Sequence, residues 1–275
     1  MRSGLFHIPN SAQYVVMANW LKTRQAFFQR AIRRTIEPEE AARKQRQIRE
    51  HLLLNSARLK AENFSVISPS DLGMLFQLTD EVFFEGELAS FVEANFRKPL
   101  TFRLSTRMTK AGGTTTMFRS GLNRKDTEFE IAIATTPLFS SFGGEPANVG
   151  GVPCYSRLEA LQRIMEHEII HLVELLGTGD SNCQARPFRS LVRSYFGHLE
   201  SNHQLLTPAD LARKKLGIRC GDTVVFQVAG KNRRGVVNRI TKRATVLVQD
   251  PSGDEYCDGV CYAKYYVPLP ALKRA

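Results

Sequence analysis

No stretch of this chain approaches the about 18 consecutive apolar residues that a membrane-spanning helix needs, so the sequence predicts no membrane partner. Cysteine is sparse and odd in number: Cys154, Cys183, Cys220, Cys257 and Cys261 are scattered through 275 residues. Such a set closes no disulfide framework and suits reduced thiols in the cytoplasm. Acidic side chains are missing from the first 36 residues, which gives a faint likeness to an organelle transit peptide. Residues 12–34 read better as a helix, with Tyr14, Met17, Trp20, Leu21, Phe27 and Phe28 forming an apolar stripe. No apolar core precedes a small-residue cleavage site, so a cytoplasmic protein is expected, associated with the nucleoid if the source is bacterial. Histidine is also scarce, with six in the whole chain.

Two of those six fall in Met165-Glu166-His167-Glu168-Ile169-Ile170-His171, which contains the pattern His-Glu-x-x-His. A helix turns once in about 3.6 residues, so His167 and His171 leave one face close enough to share a metal ion. Zinc suits two imidazoles, and Glu168, one position round, is placed to take a proton from water at the metal's open position. The surroundings agree with a helix. Ser156-Arg157-Leu158-Glu159 reads as a capping box, Leu158, Leu161, Met165, Ile169, Leu172 and Leu176 recur at helical steps, and Gly177 reads as the stop.

Charge is unevenly spread. Residues 1–60 carry 12 basic and 4 acidic side chains, residues 61–211 carry 13 and 18, and residues 212–275 carry 13 and 5. A mildly acidic body flanked by basic ends suggests a polyanion partner, with DNA the expected one.

Along the chain, Pro38 opens a basic helix predicted to run to about residue 63, with Arg43, Lys44, Arg46, Arg49, Arg58 and Lys60 and few apolar anchors. Ser68-Pro69-Ser70-Asp71 caps a fresh helix carrying Leu72, Leu75, Phe76 and Leu78. Strands are predicted at Thr101–Ser105 and Phe129–Ala134, with Gly112-Gly113 marking a turn between paired strands. Phe188, Leu191, Val192, Tyr195 and Phe196 predict a helix that stops at Gly197 and packs under the metal site. These elements divide the chain into a basic helical region (1–67), a central domain (68–205), a linker helix (206–217) and a C-terminal domain (218–275), an α+β arrangement.

The run Leu75-Phe76-Gln77-Leu78-Thr79-Asp80-Glu81-Val82-Phe83-Phe84-Glu85-Gly86-Glu87-Leu88, the segment Arg107-Met108-Thr109-Lys110-Ala111-Gly112-Gly113-Thr114, the strand Glu130-Ile131-Ala132-Ile133 and His-Glu-Ile-Ile-His at 167–171 together resemble the SprT-like zinc metallopeptidases, the Spartan-related family. The likeness covers about residues 70–200. It implies a zincin-type fold, a strand beside the cleft that pairs with an extended substrate, and zinc-dependent hydrolysis of DNA-associated or DNA-crosslinked proteins. The family's third ligand is a histidine after the metal-binding helix, followed by a glycine and an aromatic. Here Asp180-Ser181-Asn182-Cys183-Gln184-Ala185-Arg186-Pro187-Phe188 supplies the aromatic but no histidine. Cys183 is the preferred substitute, because thiolate is a good zinc ligand; His198, Glu174 and Asp180 stand as alternatives.

From residue 218 onward four or five short strands are predicted, separated by loops at residues 230–235 and 250–253. This part is similar to SH3-like barrels of the KOW or Tudor kind. Lys231, Arg233, Arg234, Arg239, Lys242 and Arg243 are its candidate nucleic-acid contacts, with Tyr256, Tyr262, Tyr265 and Tyr266 available for stacking. The competing reading is a nucleic-acid-binding or transcription-associated protein in which zinc only braces the fold. A third is a peptidase with no polyanion partner.

Overall fold

The structure, a computed structural model, describes residues 11–109, 111–119, 124–142, 146–202, 205–241 and 243–275. Among these, no helix is long and apolar enough to cross a membrane.

Helices α1 (Ser11–Arg33) and α2 (Pro38–Asn55) come first. α2 ends short of the predicted residue 63 because of Ser56. Its hydroxyl accepts from the Leu59 N–H (2.7 Å) and donates to Asp71 (2.6 Å), which turns the chain out of the helix. The few expected apolar anchors prove sufficient. Ala41, Gln45, Ile48 and Leu52 are buried, and Arg49 bonds Gln162 at 2.8 Å, so the helix is fastened to the body.

Ser68 caps α3 (Pro69–Thr79) as predicted, and with Asp71 it forms a capping box. A π-helical turn, Asp80–Phe84, leads into α4 (Glu87–Asn95), whose first N–H groups at Leu88 and Ala89 donate to the Asp80 carboxylate at 3.0 and 2.8 Å. A sheet follows, made of β1 (Thr101–Ser105), β2 (Gly113–Arg119) and β3 (Thr127–Ala134) in the order β1-β3-β2. β1 runs parallel to β3 and β2 antiparallel to it. Two strands and a glycine turn were predicted; instead Gly113 opens a third strand, and the turn reading is corrected. The Thr114-Thr115-Thr116 run is β-branched and suits an edge strand. The short helix α5 (Thr135–Ser140) and a small hairpin, β4 (Ala147–Val149) and β5 (Val152–Cys154), lead to the central helix.

That helix, α6 (Arg157–Gly177), buries every residue of its predicted stripe to 1% exposure or less. Ser156 accepts from the Glu159 N–H at 3.2 Å, but Glu159 in turn accepts from Tyr155 N–H, so only half of the predicted capping box forms. The helix ends on Gly177 as predicted, but Gly177 does not take the left-handed turn. Gly179, at φ 86°, takes the left-handed turn and donates to the carbonyls of Glu174 and Leu175. Gly177 is needed for a different reason: a Cβ there would lie 2.5 Å from Phe28 Cδ2 and 2.7 Å from its Cβ and Cγ. Gly177→Ala is expected to push α1 off the end of α6 and lower stability by about 2 kcal/mol, the overpacking cost exceeding the helix-propensity gain. Urea unfolding measures it; an unchanged midpoint contradicts the close approach.

α7 (Arg186–Phe196) ends at Gly197, φ 72°, as predicted, and α8 (Pro208–Leu216) starts on a Thr207–Asp210 capping box and ends at Gly217. One buried apolar cluster runs from Phe27 to Leu205, so Phe27, Ala31, Ile48 and Leu52 of the first 67 residues share a core with α6. A second cluster, from Ile218 to Leu272, belongs to the C-terminal sheet. That sheet has β6 (Thr223–Val228), β7 (Lys231–Ile240), β8 (Arg243–Glu255), β9 (Cys261–Pro268) and β10 (Lys273–Arg274) in the order β10-β6-β7-β8-β9. No ladder among the described residues joins β9 to β10, so the sheet is open where a closed barrel was expected. The predicted loops at 230–235 and 250–253 are mostly strand. Ala229 and Gly230, both at positive φ, make the tight β6–β7 turn, and the excess residues 250–253 are absorbed as a bulge in β8.

Candidate metal centre

α6 sets His167 and His171 one turn apart with their Nε2 atoms 3.2 Å from each other. Phe188 of α7 packs against both rings, its centroid 4.8 Å from that of His167 and 4.4 Å from that of His171. This is the packing under the site that the aromatic stripe predicts. Between the two helices the chain brings Cys183 back. One ligand atom from each of His167, His171 and Cys183 lies within 4.8 Å of the others.

The donor set fits zinc. Ser181 Oγ donates to Glu174 Oε2 at 2.6 Å, so its lone pair faces His171 Nδ1 at 2.7 Å and fixes that nitrogen as the N–H. His171 Nε2 therefore turns a lone pair toward His167. Burial also pushes the His171 pKa down to about 4, which keeps the imidazole neutral, the form a metal needs. Three convergent ligands leave a fourth position open. The other candidates for third ligand are engaged elsewhere. Glu174 holds Ser181 and the Asn182 N–H, Asp180 accepts from the Ser181 N–H at 2.9 Å, and His198 is buried with its Nε2 3.0 Å from Glu166.

The Ser181–Glu174 pair had no signature in the sequence, because serine and glutamate near a loop are unremarkable until the fold joins them. Ser181→Ala frees the His171 ring and is expected to weaken zinc binding about 10–100-fold with little effect on folding. Competition against a zinc-sensitive dye reads this directly; unchanged affinity removes Ser181 from the site.

Glu168 points to the opposite side of the cluster, toward β2. It is 3% exposed, and burial pushes its pKa up to about 8, against the lowering effect of a Thr115 hydroxyl 2.8 Å from its Oε2. A carboxylate so desolvated is a strong proton acceptor once a neighbouring cation favours its charged form. Gly113 permits this approach: a Cβ there would lie 2.8 Å from both Cγ and Oε1 of Glu168. A cleft of about 510 Å³ is lined by Gly113, Thr114 and Thr115 on one side and by His167, His171 and Cys183 on the other. β2 is the edge of its sheet among the described residues, and its first three residues line this cleft.

The predicted nucleic-acid residues of the C-terminal part lie on strands rather than in loops. Lys231, Arg233, Arg234 and Arg239 belong to β7 and Arg243 opens β8, all exposed; Lys242 lies outside the described residues. They do not share one face. Arg233 is registered with Phe226 and Arg234 with Val225, on opposite sides of the sheet, and a bulge between Val237 and Arg239 shifts the alternation again. Of the tyrosines, Tyr266 is 65% exposed, whereas Tyr265 packs on Phe226. Cys257 and Cys261 are free thiols.

Compared with known proteins, the chain matches no family model, no curated protein and no solved structure.

Proposed function

We propose that this protein is a zinc-dependent endopeptidase of the SprT-like kind that acts on DNA-associated proteins. The convergence of His167, His171 and Cys183 beside a desolvated Glu168 carries the reading. Zinc held by these three residues would acidify water at its open position and polarise a peptide carbonyl. Glu168 accepts the proton of the attacking water, with Thr115 steadying its Oε2, and passes it to the departing amine. An extended substrate adds to the free edge of β2, which sets its backbone along the cleft without a demanding side-chain pocket. The five-stranded C-terminal sheet, in this reading an SH3-like module, supplies DNA contacts through Arg233, Arg234, Arg239 and Arg243.

The test is incubation of purified protein with a DNA-bound substrate protein, with zinc and with a chelator. Fragments that appear only with metal support the reading. An intact substrate in the presence of zinc-loaded protein, with and without DNA, overturns it.

A further inference from the structure

α7 is the most sharply two-sided helix near the metal cluster. Phe188, Leu191, Val192, Tyr195 and Phe196 are buried, while Arg186, Arg189 and Arg193 are all exposed. At about 100° per residue these three arginines fall within about 60° of one another, in a stripe about 10.5 Å long. The helix contains no acidic residue, and among the described residues none of the three guanidinium groups forms an ion pair or hydrogen bond. Elsewhere on the body arginines are used internally: Arg49, Arg103 and Arg163 each bond a glutamate or a glutamine. An unpaired stripe on a body that is acidic overall is therefore distinctive. Beside it runs a groove of about 350 Å³ whose other wall includes Leu199, 66% exposed, and a single carboxylate, Glu200.

We propose that Arg186, Arg189 and Arg193 form a docking ridge for the phosphodiester backbone of a nucleic acid. Guanidinium groups pair with phosphate oxygens in a two-pronged fashion, and the stripe is long enough to follow a strand over about two or three phosphates. Leu199 offers an apolar contact for a sugar or base edge on the groove's other wall. The charge reading of the sequence assigned polyanion contacts to the two ends of the chain. The ridge instead lies within the body, beginning three residues after Cys183, on the exposed face of the helix whose buried Phe188 packs on His167 and His171. This deepens the functional reading above and rests on its nucleic-acid partner, but not on peptide hydrolysis.

The test is binding of a labelled short oligonucleotide, single-stranded and duplex, to the full chain and to its R186Q/R189Q/R193Q variant over a range of salt concentrations. The variant is expected to bind at least about tenfold more weakly at physiological salt, and the slope of log affinity against log salt is expected to fall by about two to three. R186K/R189K/R193K, which keeps the charge, is expected to recover most of the slope. Zinc content and thermal unfolding are read alongside, so that a folding defect is not taken for lost contact. Parental affinity and slope in the glutamine variant overturn the ridge, as does capture of polyglutamate but not of either oligonucleotide. If the ridge variant loses oligonucleotide binding while the parent cleaves no protein, the ridge stands and the peptidase reading fails.

Discussion

Glu168→Gln is expected to reduce the proposed peptide hydrolysis by about 10²–10⁴-fold while zinc remains bound and the fold is kept, because the amide fills the same space but accepts no proton. The structure makes this substitution unusually clean. Glu168 is buried against Gly113 and its Oε2 is held by the Thr115 hydroxyl, contacts that glutamine's carbonyl oxygen can reproduce. Burial also disfavours the charged carboxylate when no cation is near, so the neutral amide adds no desolvation cost. Zinc content by mass spectrometry and fragment yield from a polypeptide substrate are measured on the same preparation. Retained cleavage by the variant removes Glu168 from the chemistry.

Cys183→Ala is expected to lower zinc affinity by more than the about 100-fold attributed to an outer-shell partner, since in the proposed centre it deletes a ligand itself. Cleavage is lost with the metal. Cys183 sits in the α6–α7 loop rather than in the core, so the unfolding midpoint of the metal-free protein is expected to stay near that of the parent. Cys183→His supplies a third imidazole and is expected to restore zinc. Titration with a competing chelator separates the variants. Undiminished zinc in Cys183→Ala moves the third ligand elsewhere.

Much of the frame was legible because it rests on local rules. The α6 stripe from Leu158 to Leu176, the Ser68 cap and the α7 pattern ending at Gly197 follow from helical period and terminal chemistry, and each falls where those rules place it. The errors share a cause. The glycine pair predicts a turn where Gly113 opens a strand, and α6 ends on Gly177 without that glycine taking the left-handed turn; each is glycine because another element comes within touching distance, Glu168 in one case and Phe28 in the other. Spacing along a chain carries no record of such approaches. Likewise α2 stops at Asn55 through the Ser56–Asp71 bond, a contact across 15 positions of sequence. At the candidate metal centre, His167, His171 and Glu168 are named by their spacing, whereas Thr115, Ser181 and Glu174 touch them only through tertiary geometry. The basic residues of β7 show the opposite limit. Their charge was readable, but strand alternation and a bulge distribute it over both sides of the sheet.

X-ray absorption at the zinc edge of the loaded protein tests the central assignment most directly. The expected shell has two nitrogen ligands at about 2.0–2.1 Å and one sulfur at about 2.3 Å, with a light atom completing four-coordination, and the sulfur disappears in Cys183→His. A shell with no sulfur, or one closed by two or more sulfurs, contradicts the His167–His171–Cys183 centre with its open position.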